Sequence, residues 1–351
     1  MDEKVIFKVR KFTDQDTLKV IELLSNIWDL PTKVEIESKF FWQYKSNPFQ
    51  SEENIYLAFD NEKLIGIRAF VPLDANFFGK IFEILCPSDA IVHPEYRKKG
   101  VFSLLNNSFI ADLNSRFVST GCVLNLSSNE ASLKGNLNKG WVKTNCKRTY
   151  VYRFSMFNSI YRLLNKSYKN ENKIKKIKNR LFSVSKKINI NSILDLRKNI
   201  VWDNYISVNR NFNYYEWRYI KNPSDFYFGY IYENDKLISF MILKKISVNQ
   251  FEVEEYFSLE PENLKCLLNF LQRELKIPII KMKVFSERQI KYTNKLGMKL
   301  YPIILEKLTG KIRAPILVRS FKENPCENDY FFYGKDIRDM NNWFLYNSDY
   351  N

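Results

Sequence analysis

A seven-residue motif occurs twice in this chain, and the pair restricts its architecture more than any other feature. Trp-Gln-Tyr-Lys-Ser-Asn-Pro at 42–48 returns as Trp-Arg-Tyr-Ile-Lys-Asn-Pro at 217–223, so Trp42, Tyr44, Asn47 and Pro48 are each displaced by 175 positions. The turn Asp-Asn-Glu-Lys-Leu-Ile-Gly at 60–66 returns as Glu-Asn-Asp-Lys-Leu-Ile-Ser at 233–239, with a shift of 173. Gly140, in Asn-Lys-Gly-Trp, has an echo at Gly297, in Lys-Leu-Gly-Met, where the shift is 157. Between turn and glycine the shift falls from 173 to 157, so the second copy is 16 residues shorter there. A repeat with one shortened copy reads as a tandem duplication in which one half is degenerate.

Local patterning supplies the contents of each copy. A strand pattern at 5–10 precedes a helical one, in which Leu18, Ile21, Leu24, Ile27 and Trp28 recur at helical spacing until Pro31. Strand-like runs follow at 54–59 and 64–71, joined by the polar turn 60–63, and continue at 81–85 and 90–92. Residues 100–113 read as a helix, 122–126 as a short buried strand and 130–137 as a second helix. This order predicts an α/β fold with a mixed (α+β) sheet, as two tandem domains. We expect a first domain over 1–155, a basic, partly helical linker or insertion over 156–200, and a degenerate second domain over 201–351 that binds the acceptor or is structural. Trp42 and Trp217 read as core anchors of the two copies, and Trp141 as a packing residue.

Composition excludes several classes. At 45% hydrophobic and 16% aromatic residues the chain can bury a core. No run reaches the ~18 apolar residues of a spanning helix, and residues 1–10 lack an apolar signal core, so the expectation is a soluble, cytoplasmic protein. The five cysteines (Cys86, Cys122, Cys146, Cys266, Cys326) are odd in number and widely spaced, which argues against a disulfide frame or metal site. A net charge of +16 fits anionic partners, but the chain's Lys- and Asn-rich background produces the same excess, and no nucleic-acid partner is expected. The densest basic run, 166–187, holds nine Lys/Arg against Glu171 alone. Interleaved Ile174, Ile177 and Leu181 suggest a partly helical linker, with peripheral membrane contact as the sharper alternative.

The segment at 92–105, Val-His-Pro-Glu-Tyr-Arg-Lys-Lys-Gly-Val-Phe-Ser-Leu-Leu, carries the chemistry. A strand ends near Val92, Pro94 breaks it, and a basic turn leads through Gly100 into a helix. A helix N-terminus presents unpaired N–H groups and the positive end of its dipole, which suits phosphate. Arg97, Lys98 and Lys99 add charge, and Gly100 permits close backbone approach. The pattern Arg97-x-x-Gly100-Val101-Phe102, followed by Asn129-x-x-Ser132 and Lys139-Gly140-Trp141, resembles the cofactor motifs of the GNAT superfamily of acyl-CoA-dependent N-acyltransferases. The tandem halves resemble its two-domain bacterial members, some of which acylate amino sugars for surface polysaccharides.

That resemblance implies acetyl-CoA or another acyl-CoA as co-substrate and no metal. Backbone groups from Lys98 to Phe102 would cradle the pyrophosphate, with Lys99, Gly100 and Val101 between them and Arg97 in support. The strand edge Ala90, Ile91, Val92 would pair with the pantetheine arm, Asn129 would bond pantetheine or acyl group, and Ser132 would line the channel. An amine attacks the thioester directly in this superfamily, so a carboxylate must take its proton. Asp89 is the preferred base and Glu83 the second candidate. Asn136 stands where many members carry a tyrosine acid, and neither Tyr150 nor Tyr152 aligns to that role. His93 reads as structural or cofactor-adjacent. Two other readings are an aminoacyl transferase of cell-wall synthesis, against which the intact loop argues, and a non-catalytic protein binding through the basic segment.

Overall fold

A computed structural model describes residues 7–26, 28, 30, 32–49, 54–116, 121–126, 128, 130–165, 172–198, 204–302 and 313–349. The first half runs β1 (Lys8–Lys11), α1 (Thr17–Ser25), α2 (Lys33–Phe40), a π-helical turn (Phe41–Lys45), β2 (Ile55–Asp60), β3 (Lys63–Phe77), β4 (Lys80–Val92), α3 (Val101–Arg116), β5 (Gly121–Asn125), α4 (Glu130–Leu137) and β6 (Val142–Phe154). A connecting region follows, with α5 (Met156–Leu164), β7 (Lys173–Ile177) and β8 (Arg180–Ser185). The second half runs α6 (Ile190–Lys198), β9 (Ile206–Val208), α7 (Phe212–Tyr215), a second π-helical turn (Glu216–Ile220), β10 (Phe226–Glu233), β11 (Lys236–Lys245), β12 (Gln250–Ser258), α8 (Pro261–Glu274), β13 (Ile279–Val284), α9 (Glu287–Lys295) and β14 (Lys299–Leu300). The C-terminal part holds β15 (Ala314–Ser320), β16 (Phe331–Phe332), β17 (Lys335–Asp336) and β18 (Trp343–Phe344). The fold is mixed α/β, as two tandem units of one kind.

Each repeated motif takes the same shape in both halves. The two Trp-x-Tyr motifs form the two π-helical turns. Asn61 and Asn234 occupy the left-handed region at φ of 52° and 49°, closing equivalent hairpins. Gly140 and Gly297 share a φ of 78°, and both follow a helix end closed by the same three backbone bonds. The halves meet where the motifs meet: Trp42 Nε1 donates to the Trp217 carbonyl and Trp217 Nε1 to the Trp42 carbonyl, each at 2.9 Å. Their rings stack at 5.7 Å. This reciprocity makes the junction two-fold-like and satisfies both buried indole N–H groups.

Among the described residues, 16 strands form one continuous sheet. At its centre the two halves interleave across the boundary expected at 200. Strand β15, from beyond that boundary, lies between β5 and β6 and pairs with both. In return the end of β6, Thr149–Phe154, leaves its own half and pairs with β13. Each half thus covers an edge that the other would leave unpaired. Two apolar layers flank the sheet around α3 and α8. A third runs through both halves.

Two local readings also need correction. Lys173–Ile177 and Arg180–Ser185 form a β-hairpin, not helix, because β8 finds an open partner in β10; residues 166–171 lie outside the described residues. Leu18 belongs to α1 but faces outward, while Val20, Ile21, Leu23 and Leu24 are buried; Ile27 also lies outside the described residues. No helix among the described residues is long and apolar enough to cross a membrane.

Candidate functional site

Strands β4 and β5 run parallel, but they pair only from Glu83 to Leu85 against Gly121 to Val123. Beyond that point they part, leaving the edge of β4 toward Val92 unpaired on that side. Against β3 the same stretch carries a bulge: Arg68 pairs with Ala90 and Phe70 with Pro87, so Ser88 and Asp89 together face Ala69. A bulge re-aims the side chains it carries, and here it turns Asp89 toward the gap. Past Val92, Lys98 and Gly100 take φ of 64° and 84°. These two left-handed residues curl the loop back onto the N-terminus of α3, where the first N–H groups have no partner within the helix. Glycine meets that demand at 100 without strain.

Gap and loop open into one pocket of about 800 Å³. Ser88, Asp89, Ala90, Ile91 and Val92 line one side, and Arg97, Lys98, Gly100, Val101 and Phe102 another, with Asn125 and Ser132 across from them. A pocket of this size, apolar along its edge and basic at its mouth, fits a long ligand with a phosphate head. A depression of about 950 Å³ lies elsewhere, between α3 and residues 319–338, and holds none of the loop.

Asp89 is the hub of the pocket's polar chemistry. Its Oδ1 accepts from Trp28 Nε1 at 2.9 Å, and its Oδ2 accepts from Gln43 Nε2 at 3.3 Å and from the Tyr44 hydroxyl. Tyr44 also lies 2.7 Å from Ser88 Oγ, so exchangeable protons link Asp89 to the pocket wall. Burial, reinforced by the Asp89 charge, raises the Tyr44 hydroxyl well above its ordinary range and keeps it protonated. Lys39 lies 3.8 Å over the Trp28 ring, and burial lowers its ammonium against the opposing pull of Asp89.

Arg68 is the unusual member. It is 2% exposed, lines the pocket, and its Nε and Nη2 have no hydrogen-bond partner. Burial pulls its guanidinium down to about 10, against the opposing electrostatic pull of the neighbouring Tyr44 and Asp89 side chains. Phe70 and Phe102 flank it at 4.7 and 5.8 Å. A buried cation with idle donors costs stability unless a ligand oxygen meets it.

The other expected residues sort as follows. Lys99 turns its side chain over Tyr96, 5.1 Å from the ring centre. Glu83 stays on the paired part of β4, six residues before Asp89, and is not among the residues that line the pocket. Asn129 lies outside the described residues. Asn136 is fully buried with both side-chain polar atoms unpartnered, and it does not line the pocket. Tyr150 and Tyr152 sit on the part of β6 that belongs to the second half's sheet. His93 opens a turn of 3-10 helix and borders a separate depression with Lys19 and Glu22. Burial pushes the Cys86 thiol up to about 12 and raises the Cys122 thiol well above its ordinary range, which disfavours the thiolate at both. The sequence analysis missed Trp28, Gln43, Tyr44, Arg68 and Asn125. Only Tyr44 carried a signal, as part of the repeated motif.

Among known proteins, an acetyltransferase (GNAT) domain model matches residues 8–123. No curated protein matches the chain by sequence. In structure it is similar to a conserved protein from Enterococcus faecalis V583 described as a probable N-acyltransferase, with a TM-score of 0.63 at 15% identity over 91% of this chain and 73% of that one. It is similar to N-myristoyltransferase of Saccharomyces cerevisiae with bound myristoyl-CoA, at 0.56 and 12% identity over 90% of this chain and 82% of that one. A tandem GNAT protein from the clavulanic acid biosynthesis pathway matches at 0.53 and 9% identity, over 92% of this chain and 100% of that one. Matched domain and shared architecture agree on the fold: residues 8–123 match the GNAT acetyltransferase domain, and the chain as a whole has the tandem architecture of the proteins it is similar to.

Proposed function

We propose that the chain transfers a short acyl group, acetyl in the simplest case, from acyl-CoA to the primary amine of an amino sugar. A nucleotide-linked sugar used in surface-polysaccharide synthesis in the cytoplasm is the preferred acceptor. The observation that carries the cofactor part is the single pocket shared by the open edge of β4 and the left-handed loop before α3. Backbone N–H groups of Lys98 to Phe102 hold the pyrophosphate, Arg97 supports them, and Ala90 to Val92 offer a strand edge to the pantetheine arm. Ser132 lies along the channel, and Asn129 bonds the pantetheine or acyl group.

Asp89 takes the proton of the attacking amine, directly or through water. Nitrogen adds to the thioester carbon, the carbon–sulfur bond breaks, and CoA leaves as thiolate. Asn136 has no proton to lend. Tyr44 and Ser88 do, and their chain of hydroxyls leads from Asp89 to the pocket wall. The proton gained by Asp89 replaces the one Tyr44 passes on through Ser88. Positive charge supports the acceptor reading: Lys39 lies within electrostatic reach of both Asp89 and Lys244 of the second half, and Arg218 lies 5.4 Å from the Trp42 ring. Calorimetric titration with acetyl-CoA, followed by mass spectrometry of products from a panel of amines, tests both parts. No binding defeats the cofactor reading, and acylation of amines other than amino sugars defeats the acceptor reading alone.

A further inference from the structure

Helix α5 is amphipathic the wrong way round for a globular protein. Its polar residues face the protein. Asn158 is buried and donates from Nδ2 to the carbonyls of Gln272 and Ile277 at 2.8 and 3.0 Å. Four residues on, Arg162 donates from Nε to the Lys276 carbonyl at 2.9 Å and from Nη2 to the Leu275 carbonyl at 2.8 Å. These carbonyls lie at the C-terminal end of α8, where a helix has no internal donors left to offer. Asn158 and Arg162 thus fasten α5 by its polar stripe and turn the apolar stripe to solvent. Met156, Phe157, Ile160, Leu163 and Leu164 are 53–80% exposed.

The patch extends beyond the helix. Phe154 just before it, and Ile246 and Val248 in the turn between β11 and β12, are exposed as well, and Val248 shares a depression with Leu163. Soluble chains rarely present so much contiguous apolar surface without a use for it. Eight residues separate α5 from the β7–β8 hairpin. Residues 172–187 hold seven Lys/Arg and no Asp or Glu. Lys175, Lys176, Lys178 and Lys187 are exposed, and so is Ile174 on the outermost strand.

We propose that α5 and the β7–β8 hairpin dock the protein on an anionic phospholipid bilayer. The apolar stripe enters the boundary between headgroups and acyl chains while the lysines meet the anionic headgroups. Charge complementarity selects this partner: Arg180 and Lys186 pair with Glu233 and Asp225, but Lys175, Lys176 and Lys178 are exposed beside the apolar Ile174, so the apolar stripe and the lysines match such a surface in both chemistries. The inference rests on α5 and the hairpin and is independent of the reading of the acyl-CoA pocket.

The test is co-sedimentation of the full chain with extruded vesicles of phosphatidylcholine alone, or of phosphatidylcholine and phosphatidylglycerol in equal parts. Wild type should bind the anionic vesicles and not the neutral ones, and high salt should weaken binding. Phe157→Ser with Leu163→Ser, and separately Lys175→Glu with Lys176→Glu, should each lower the bound fraction about tenfold, with thermal unfolding and acetyl-CoA affinity unchanged. Failure to bind anionic vesicles, equal binding to both compositions, or variants that bind like wild type would overturn the proposal. So would a dimer by light scattering that the Phe157→Ser/Leu163→Ser chain fails to form, which would assign the patch to a second copy. Binding of duplex DNA without binding to vesicles would overturn it too.

Discussion

Set side by side, the two halves hold the same device in opposite states. In the first, Tyr44 of one π-helical turn donates to Asp89 on the bulge of β4. In the second, Tyr219 of the other turn donates to Glu255 at 3.2 Å, beside a bulge in β12. Asp89 lines a pocket. Glu255 is fully buried, and Arg197 and Arg210 pair with it at 3.1 and 3.2 Å while Tyr215 donates at 2.6 Å. Arg210 also grips Asp349, tying the C-terminal segment to the same knot. Around the device the contrast repeats. His93–Gly100 separate β4 from α3 in the first half, but only Leu259 and Glu260 separate β12 from α8 in the second. At the hairpin's shift of 173, Arg68 of the first half corresponds to Met241 of the second. The duplicated tyrosine–carboxylate pair is therefore a property of the folding unit. The difference lies in what surrounds it: an open strand edge, a left-handed basic loop and an arginine with idle donors in one copy, a closed ion network in the other.

Replacing each carboxylate tests this contrast most strongly. Asp89→Asn should lower kcat by about 10²–10⁴-fold while acetyl-CoA affinity measured by calorimetry holds. Unchanged turnover would remove Asp89 from proton transfer. Glu255→Gln should leave both quantities intact but destabilise the chain by roughly 3–5 kcal/mol in denaturant titrations, because buried Arg197 loses its carboxylate partner and Arg210 keeps only Asp349. A loss of activity without a loss of stability there would erase the distinction between the halves.

Gly100→Trp should weaken acetyl-CoA binding about 100-fold, roughly 2.7 kcal/mol, through backbone strain and a blocked loop; unchanged affinity would mean the loop is not the phosphate site. Arg68→Met installs the second half's residue. It should weaken acyl-CoA binding about tenfold and raise the unfolding midpoint of the free protein, since a buried cation with idle donors disappears. Lower stability would show that Arg68 serves the fold and not a ligand. The smallest effect expected is that of Trp217→Phe, about 1–2 kcal/mol of stability from the loss of one reciprocal indole bond and the orphaned carbonyl of Trp42. Its activity should match wild type.

The parts of the site that were legible are those that lie within one stretch of chain. Residues 97–102 spell out loop, glycine and helix start together, and local backbone chemistry gives them meaning without tertiary information. The companions of Asp89 had no such advantage. Trp28, Gln43 and Arg68 come from the segment after α1, a π-helical turn and β3, and nothing local marks any of them as a partner of Asp89. The bulge that aims Asp89 is a matter of register between two strands. Spacing misled at the basic hairpin, where Ile174, Ile177 and Leu181 imitate a helix while the open edge of β10 recruits the segment as strand. That Glu83 stays out of the pocket lining was hidden for a related reason, because its place on β4 gives no hint of where β5 diverges.

The sequence by itself determined that two motifs are repeated and that the second copy is 16 residues shorter where the first carries its basic, Gly100-containing loop. Those facts are written in spacing, which survives without coordinates. Only the tertiary structure decided that the halves exchange strands β15 and β6, that Asp89 looks into a pocket while Glu255 is sealed, and that α5 turns its apolar face outward. Each of these depends on which partner a strand edge or a polar side chain finds, and a choice among partners distant in sequence is settled by packing the whole chain at once.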